Sequence, residues 1–368
     1  MKIVFICGSL EPGKDGVGDY TRRLASELIK QNHEVSVIAL NDSFISANNS
    51  SSQFFENIKI DTLRLASTLN VKSREILAKN WIQKKDPEFL SLQFVPFSYH
   101  PKGIPFGLTK LLLTIGAERK WHIMFHEIWL GMNIESSTKH KIIGKIQQGI
   151  IKTIFKKLQP KIVHTHSQLY KCLLENIGIS ASILPLYSNI PVCELNNEKN
   201  MNDAIQFVVF GGIAPSSNFE QFAIEVANLS KKQNKNICLT FVGRNGPHQK
   251  QWVEIWKKLN LEYNILGELS PKEISYTLKT MNIAITTTPY ALIEKSGAAA
   301  AMACHNIPVI SISNSWSTNM PYKINTTSGF FEYKKGQLGM FISNSSNIKI
   351  NSFSAQEVAQ KMVLELVQ

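Results

Sequence analysis

Cysteine is scarce in this chain: five in 368 residues, at Cys7, Cys172, Cys193, Cys238 and Cys304, with no pair at metal-ligand spacing. Cys7, Cys238 and Cys304 lie in apolar strand or helix patterns, which predicts buried reduced thiols and a cytoplasmic setting. Long hydrophobic runs are missing too. No stretch approaches the ~20 apolar residues of a membrane span. The first apolar run, Ile3–Cys7, is short and stops at Gly8, so no signal peptide is expected. Acidic residues are thin, 28 Asp+Glu against 40 Lys+Arg, for a net charge of +12. None occurs between Glu135 and Glu175. Such a balance favours anionic partners. A nucleic acid is not among those expected, because no aromatic–basic motif or helix-turn-helix pattern is present.

Apolar strand runs alternate with helical patterns from end to end. The strands read in the first half are Lys2–Cys7, Glu34–Leu40, Phe89–Phe94, His122–His126 and Lys161–Thr165. In the second half they are Gln206–Phe210, Ile237–Val242, Asn264–Leu266, Ile283–Thr286 and Pro308–Ile312. Several are continuously apolar rather than alternating, the mark of strands covered on both faces. The expected class is α/β, with two Rossmann-like domains built on parallel sheets. Expected bounds are 1–188 for the first domain, 189–203 for a linker, 204–350 for the second domain and 351–368 for a final helix. The linker rests on Pro191 and the polar run NNEKNMND.

Two loops carry the best site signals. Gly16, Val17 and Gly18 stand where the first strand turns into a helix, where backbone amides favour an anion. Glu294, Lys295, Ser296 and Gly297 lead into an alanine-rich helix, with Ser296 placed to cap it and Lys295 beside open amides. His126 and Glu127 end a strand whose carboxyl end belongs at a ligand-binding edge. His164 and His166 alternate at the end of the next strand. They read as structural or cleft-lining, because no third metal ligand accompanies them.

The ordered series GSLEPGKDGVGDYTRRLASEL, HEVSVI, FVVFGGIAPSSNFEQF, FVGRNGP, NILGELSPKEISYTLKTMNIAITTTP and AMACHNIPVI resembles the retaining GT-B glycosyltransferases of group 1, family four. The resemblance covers most of the chain in the family's order. It implies two facing Rossmann-like domains, a nucleotide-sugar donor of UDP or GDP type in the second and a glycan, lipid-linked or other acceptor in the first. It implies no metal and no further cofactor. The donor residues carried over are Gly16, Val17, Gly18, Gly212, Arg244, Glu294, Lys295, Ser296 and Gly297. His126, Glu127 and Lys295 take the catalytic roles, and Tyr20, Arg22 and His100 the acceptor side. The family's leaving phosphate takes the acceptor proton itself, so a protein base is not required.

The sequence departs from the family in two places. The second of two glutamates separated by seven residues is missing: counting from Glu294 gives Met302, and counting back from Pro308 gives Ala300 or Ala301. The arginine and lysine usual near Gly211-Gly212-Ile213 are also absent, which leaves Lys295 and Arg244 as the substitutes. A catalytically silent binding relative is therefore the alternative expectation. Lys139–Leu158 reads as a helix with a basic face. It suits either ordinary solvation or peripheral contact with an anionic membrane surface on the cytoplasmic side.

Overall fold

The computed structural model describes residues 1–194, 204–215, 217–319 and 328–368. They group into two compact units. Residues 1–185, 317–319 and 355–368 belong to the first, and the other described residues belong to the second. The chain therefore divides at 185/186, and most of the expected linker, 195–203, lies outside the described residues.

The first unit contains β1 (Lys2–Cys7), α1 (Gly16–Lys30), β2 (Glu34–Asp42), β3 (Asn49–Phe55), β4 (Ile58–Ala66), α2 (Val71–Lys85) and β5 (Phe89–Phe94). It continues through α3 (Pro96–Tyr99), α4 (Leu108–Gly116), β6 (Lys120–Phe125), α5 (Thr138–Leu158), β7 (Ile162–Thr165), α6 (Gln168–Asn176) and β8 (Ser182–Ile183). Its sheet has the order β3-β4-β2-β1-β5-β6-β7-β8. Every pair is parallel except β3 with β4, an antiparallel hairpin turning through Glu56 and Asn57, both at positive φ. That hairpin is absent from the sequence reading, because NSSSQFF is polar and exposed along much of its length.

The second unit contains β9 (Ile205–Phe210), α7 (Phe219–Gln233), β10 (Ile237–Val242), α8 (Gln249–Lys258), β11 (Glu262–Gly267), α9 (Pro271–Lys279) and β12 (Ile283–Thr286). After these come α10 (Gly297–Cys304), β13 (Val309–Ser311), β14 (Phe330–Glu332) and α11 (Leu338–Asn344). All its strands are parallel, in the order β11-β10-β9-β12-β13-β14. Alternate residues of one strand feed opposite faces. Phe207 and Val209 pack with Phe219, Phe222, Trp252 and Trp256. Val208 packs on the other side with Ile274, Leu278 and Met302. Burial on both faces accounts for the continuous apolar runs. The last helix, α12 (Ala355–Val367), returns to the first unit and packs beside α1.

In both sheets the strand order reverses direction at the first strand, between β1 and β5 and again between β9 and β12. Open α/β sheets bind ligands at the carboxyl ends of the strands flanking such a point. The loops after these four strands are therefore the places to look.

Candidate functional site

In the second unit, β9 runs into Gly211 at φ +85, a conformation that L side chains rarely adopt. A Cβ there would meet the Cβ of Ala298 in α10, so the loop and the helix start are adjacent. Asn245, only 2% exposed, holds this loop to the one after β10. Its Nδ2 donates to Gly211 O at 2.6 Å and to Val242 O at 3.2 Å, and its own carbonyl accepts from Ile213 N at 3.0 Å. Thr287 Oγ1 then accepts from Ala214 N at 2.9 Å. Asn245 and Thr287 were not singled out from the sequence. Their signal was position: Thr287 directly follows β12 and Asn245 is the third residue after β10.

Ser296 is the N-cap of α10, its Oγ accepting from Ala299 N at 3.3 Å. Thr288 Oγ1 donates to that same Oγ at 3.4 Å. Among the described residues, the amides of Gly212, Gly297 and Ala298 donate to no group. Gly212 and Gly297 are exposed, and a Cβ on either would meet nothing. Three amides thus stand open on one edge, at the switch point and at a helix start, where they suit an anion. Glu294 and Lys295 close a half-buried 3₁₀ turn, Tyr290–Lys295, just before this helix. Burial, Glu332 and Glu294 push the Tyr290 phenol up, so acids flank the same edge. Arg244 lies in the loop after β10, 3.3 Å from Glu268, with both side chains largely exposed. Of the positions where the second glutamate was expected, Ala301 and Met302 are buried in the core and Ala300 is half-buried.

In the first unit, the start of α1 is capped from within. Asp15 Oδ1 accepts from Gly18 N at 2.8 Å, and Ser9 Oγ donates to Asp15 Oδ2 at 2.5 Å. Asp15 therefore takes up the amide of Gly18, one of the three that Gly16, Val17 and Gly18 were expected to offer to an anion. Gly18 serves close packing, because a Cβ there would fall 2.6 Å from Ser9 O. Arg22 is buried and bonded to Leu10 O at 2.6 Å, to Gln53 Oε1 at 3.3 Å and to Asp19. Burial lowers its pKa, with Asp19 pulling the other way. His100 caps its own loop, Nδ1 accepting from Lys102 N at 3.2 Å and Ile104 N at 3.3 Å. Glu127 is half-buried and its amide donates to Phe94 O.

His126 sits just beyond β6, buried, with Tyr20 edge-on at 4.8 Å. Both its ring nitrogens are engaged: Nε2 with Gln93 Oε1 at 2.8 Å and Nδ1 with His166 Nε2 at 2.9 Å. Burial, with His166 and His122 nearby, holds it well below the ordinary imidazole value. A substrate contact through this ring requires one of those bonds to open.

Helix α5 turns Ile150, Ile154 and Leu158 into the unit. Its Lys141, Lys145 and Lys152 line a cavity of about 450 Å³ with Trp129 and Asn133. Among the described residues no helix is long and apolar enough to cross a membrane, and no three His, Cys, Asp or Glu side chains converge on a metal position.

No family model matches the chain, and no curated protein matches its sequence. Solved structures do resemble it. The Anabaena protein HepE, solved with UDP and glucose, is similar at a TM-score of 0.62 and 12% identity, over 100% of this chain and 99% of that one. The UDP-GlcNAc 2-epimerase of Neisseria meningitidis, bound to UDP-GlcNAc, matches at a TM-score of 0.59 and 9% identity, over 100% of both chains. The lipopolysaccharide outer core galactosyltransferase WaaB, in its apo form, matches at 0.53 and 14%, over 99% of this chain and 95% of that one. At these identities the shared property is the fold: GT-B, with two Rossmann-like units on parallel sheets.

Proposed function

We propose that this chain is a glycosyltransferase that moves a sugar from a nucleotide-diphosphate-sugar to a glycan, lipid-linked or other acceptor, retaining the anomeric configuration. One observation carries the reading: the open amides of Gly212, Gly297 and Ala298 stand together at the switch point of the second sheet. Preorganised N–H groups there stabilise the charge that develops on a leaving diphosphate, at no reorganisation cost. Lys295, at the end of the adjoining turn, adds a positive charge, and Ser296 fixes the helix start that presents the amides. The leaving phosphate accepts the acceptor's proton, as in the family that the sequence resembles. UDP is the favoured nucleotide, because HepE and the meningococcal epimerase, which share the fold, were solved with UDP or a UDP-sugar. The Lys141, Lys145 and Lys152 cavity is proposed to meet the anionic headgroup of a lipid-linked acceptor.

A second reading follows from the epimerase of the same fold: the chain rearranges the sugar of a UDP-sugar without transferring it. Incubation with a panel of UDP-sugars and product analysis separates the two. Free UDP with a glycosylated acceptor, or slow release of UDP with free sugar, supports transfer. A new UDP-sugar isomer supports epimerisation. Neither product with any donor, and no thermal stabilisation by UDP, GDP, ADP or TDP, overturns both and leaves a catalytically silent relative.

A further inference from the structure

Three adjacent strands of the first unit carry polar side chains on one face: Ser91 and Gln93 from β5, His122 and His126 from β6 and its end, His164 and His166 from β7 and its end. All six are buried. They form one unbroken hydrogen-bonded chain. From Leu184 O it passes to His166 Nδ1 at 3.0 Å, from His166 Nε2 to His126 Nδ1 at 2.9 Å, and from His126 Nε2 to Gln93 at 2.8 Å. It continues to Ser91 Oγ at 2.8 Å, His122 Nδ1 at 2.7 Å and, through His122 Nε2, His164 Nδ1 at 2.9 Å. It ends where His164 Nε2 meets Glu365 Oε2 of α12 at 2.6 Å.

Both ends of this chain are acceptors, a carbonyl and a carboxylate, and each link needs one proton. There are seven links. Four neutral imidazoles, one hydroxyl and one amide supply one proton each along the chain, six in all. With Glu365 ionised and all four rings neutral, one link is therefore a proton short. A buried acceptor facing an acceptor is costly.

We infer that the chain holds one excess proton, shared by the four histidines and placed beside Glu365, so that His164 is an imidazolium and His122, His126 and His166 are neutral. In the structure Gln93 Oε1 faces His126 and Nε2 donates to Ser91 Oγ. With the proton beside Glu365 the amide is reversed, its carbonyl toward Ser91 and its N–H toward His126 Nε2. Amide oxygen and nitrogen occupy equivalent positions, so this orientation uses the same distances. The opposite orientation moves the proton to His126 or His166, at the far end. Electrostatics decides between the two. Burial holds His122 and His126 well below the ordinary imidazole value, and the carboxylate of Glu365 is bonded to the His164 ring. Burial lowers His164 as well, while Glu365 pulls it up and Lys361 opposes. The unfilled link decides in favour of the charged ring. Tyr20 packs edge-on against His126 and His166. Glu365 and Gln93 are thus positioning residues: they fix His126 as its Nδ1–H tautomer, bonded to His166, with Nε2 as the acceptor.

Nitrogen-15 spectra of the histidine rings test this on the full chain at about pH 7.5, above the ordinary imidazole value of ~6.5. The expected result is one imidazolium, His164, with His122, His126 and His166 each as the Nδ1–H tautomer. Glu365→Gln supplies the seventh proton from its own amide, so the imidazolium disappears and the three tautomers stay. Gln93→Met splits the chain into two pieces in which each remaining link has its proton and every ring is neutral, while His126 Nε2 loses its donor. It too abolishes the imidazolium, but it switches His122 to its Nε2–H form. Four neutral rings in the unsubstituted protein, or two or more imidazolium rings, would overturn the inference. So would an imidazolium that survives in both variants.

Discussion

A Cβ placed on Gly211 falls 3.4 Å from the Cβ of Ala298, so the loop leaving β9 and the first turn of α10 are in van der Waals reach. Gly211 also holds φ +85. The bend at the switch point depends on that residue having no side chain. Gly211→Ala is expected to destabilise the protein by about 1–2 kcal/mol through the left-handed backbone alone, and to weaken nucleotide binding as the open amides shift. Urea midpoints check the first effect. An unchanged midpoint would show that the loop relaxes freely.

Ser296 caps α10 with its hydroxyl. Ser296→Ala should cost about 1 kcal/mol, and Ser296→Thr should keep most of that stability. Chemical denaturation of the pair checks it. Equal midpoints for both variants would mean that the cap contributes nothing.

Arg64 holds the fully buried Asp42 through Nε at 2.7 Å and reaches Glu11 at 2.7 Å. Leu10 N and Phe44 N also donate to Asp42. Removing the cation leaves a buried carboxylate without its counter-charge. Arg64→Met should cost about 3–5 kcal/mol, and the double change Asp42→Leu with Arg64→Met should recover much of it. A double variant no more stable than the single one would contradict the pairing.

Burial keeps the His122 and His126 rings well below the ordinary value, so both are neutral in the folded chain near neutral pH. In the unfolded chain they take up protons below about pH 6.5. The unfolded state then binds more protons than the folded one, and stability falls as pH falls. The loss should begin near pH 6.5 and continue downward until the folded rings titrate. Denaturation midpoints at pH 7.5 and 5.5 check the sign. A protein more stable at the lower pH would contradict it.

The strands buried on both faces were legible because their apolar runs are unbroken, as in ICLTFV and IAIT. The start of α10 was legible because a cap marked it, Ser296, whose hydroxyl accepts from Ala299 N. The β3–β4 hairpin was not, since its outer strand shows water a run of serines. The expected anion site at Gly16–Gly18 rested on glycines and a helix start. Asp15, the adjacent residue, already caps that helix, and a glycine pattern does not reveal it. His164 and His166 attracted attention as alternating residues. Their partners were hidden, because the sequence states neither that β5, β6 and β7 are neighbours nor that Glu365 closes the chain about two hundred residues later.

Calorimetric titration with UDP tests the central claim most directly, in the unsubstituted chain and in Lys295→Ala. The account predicts saturable binding at one site per chain, abolished by the substitution. Absence of binding by UDP, GDP, ADP and TDP, or binding that Lys295→Ala leaves unchanged, would contradict it.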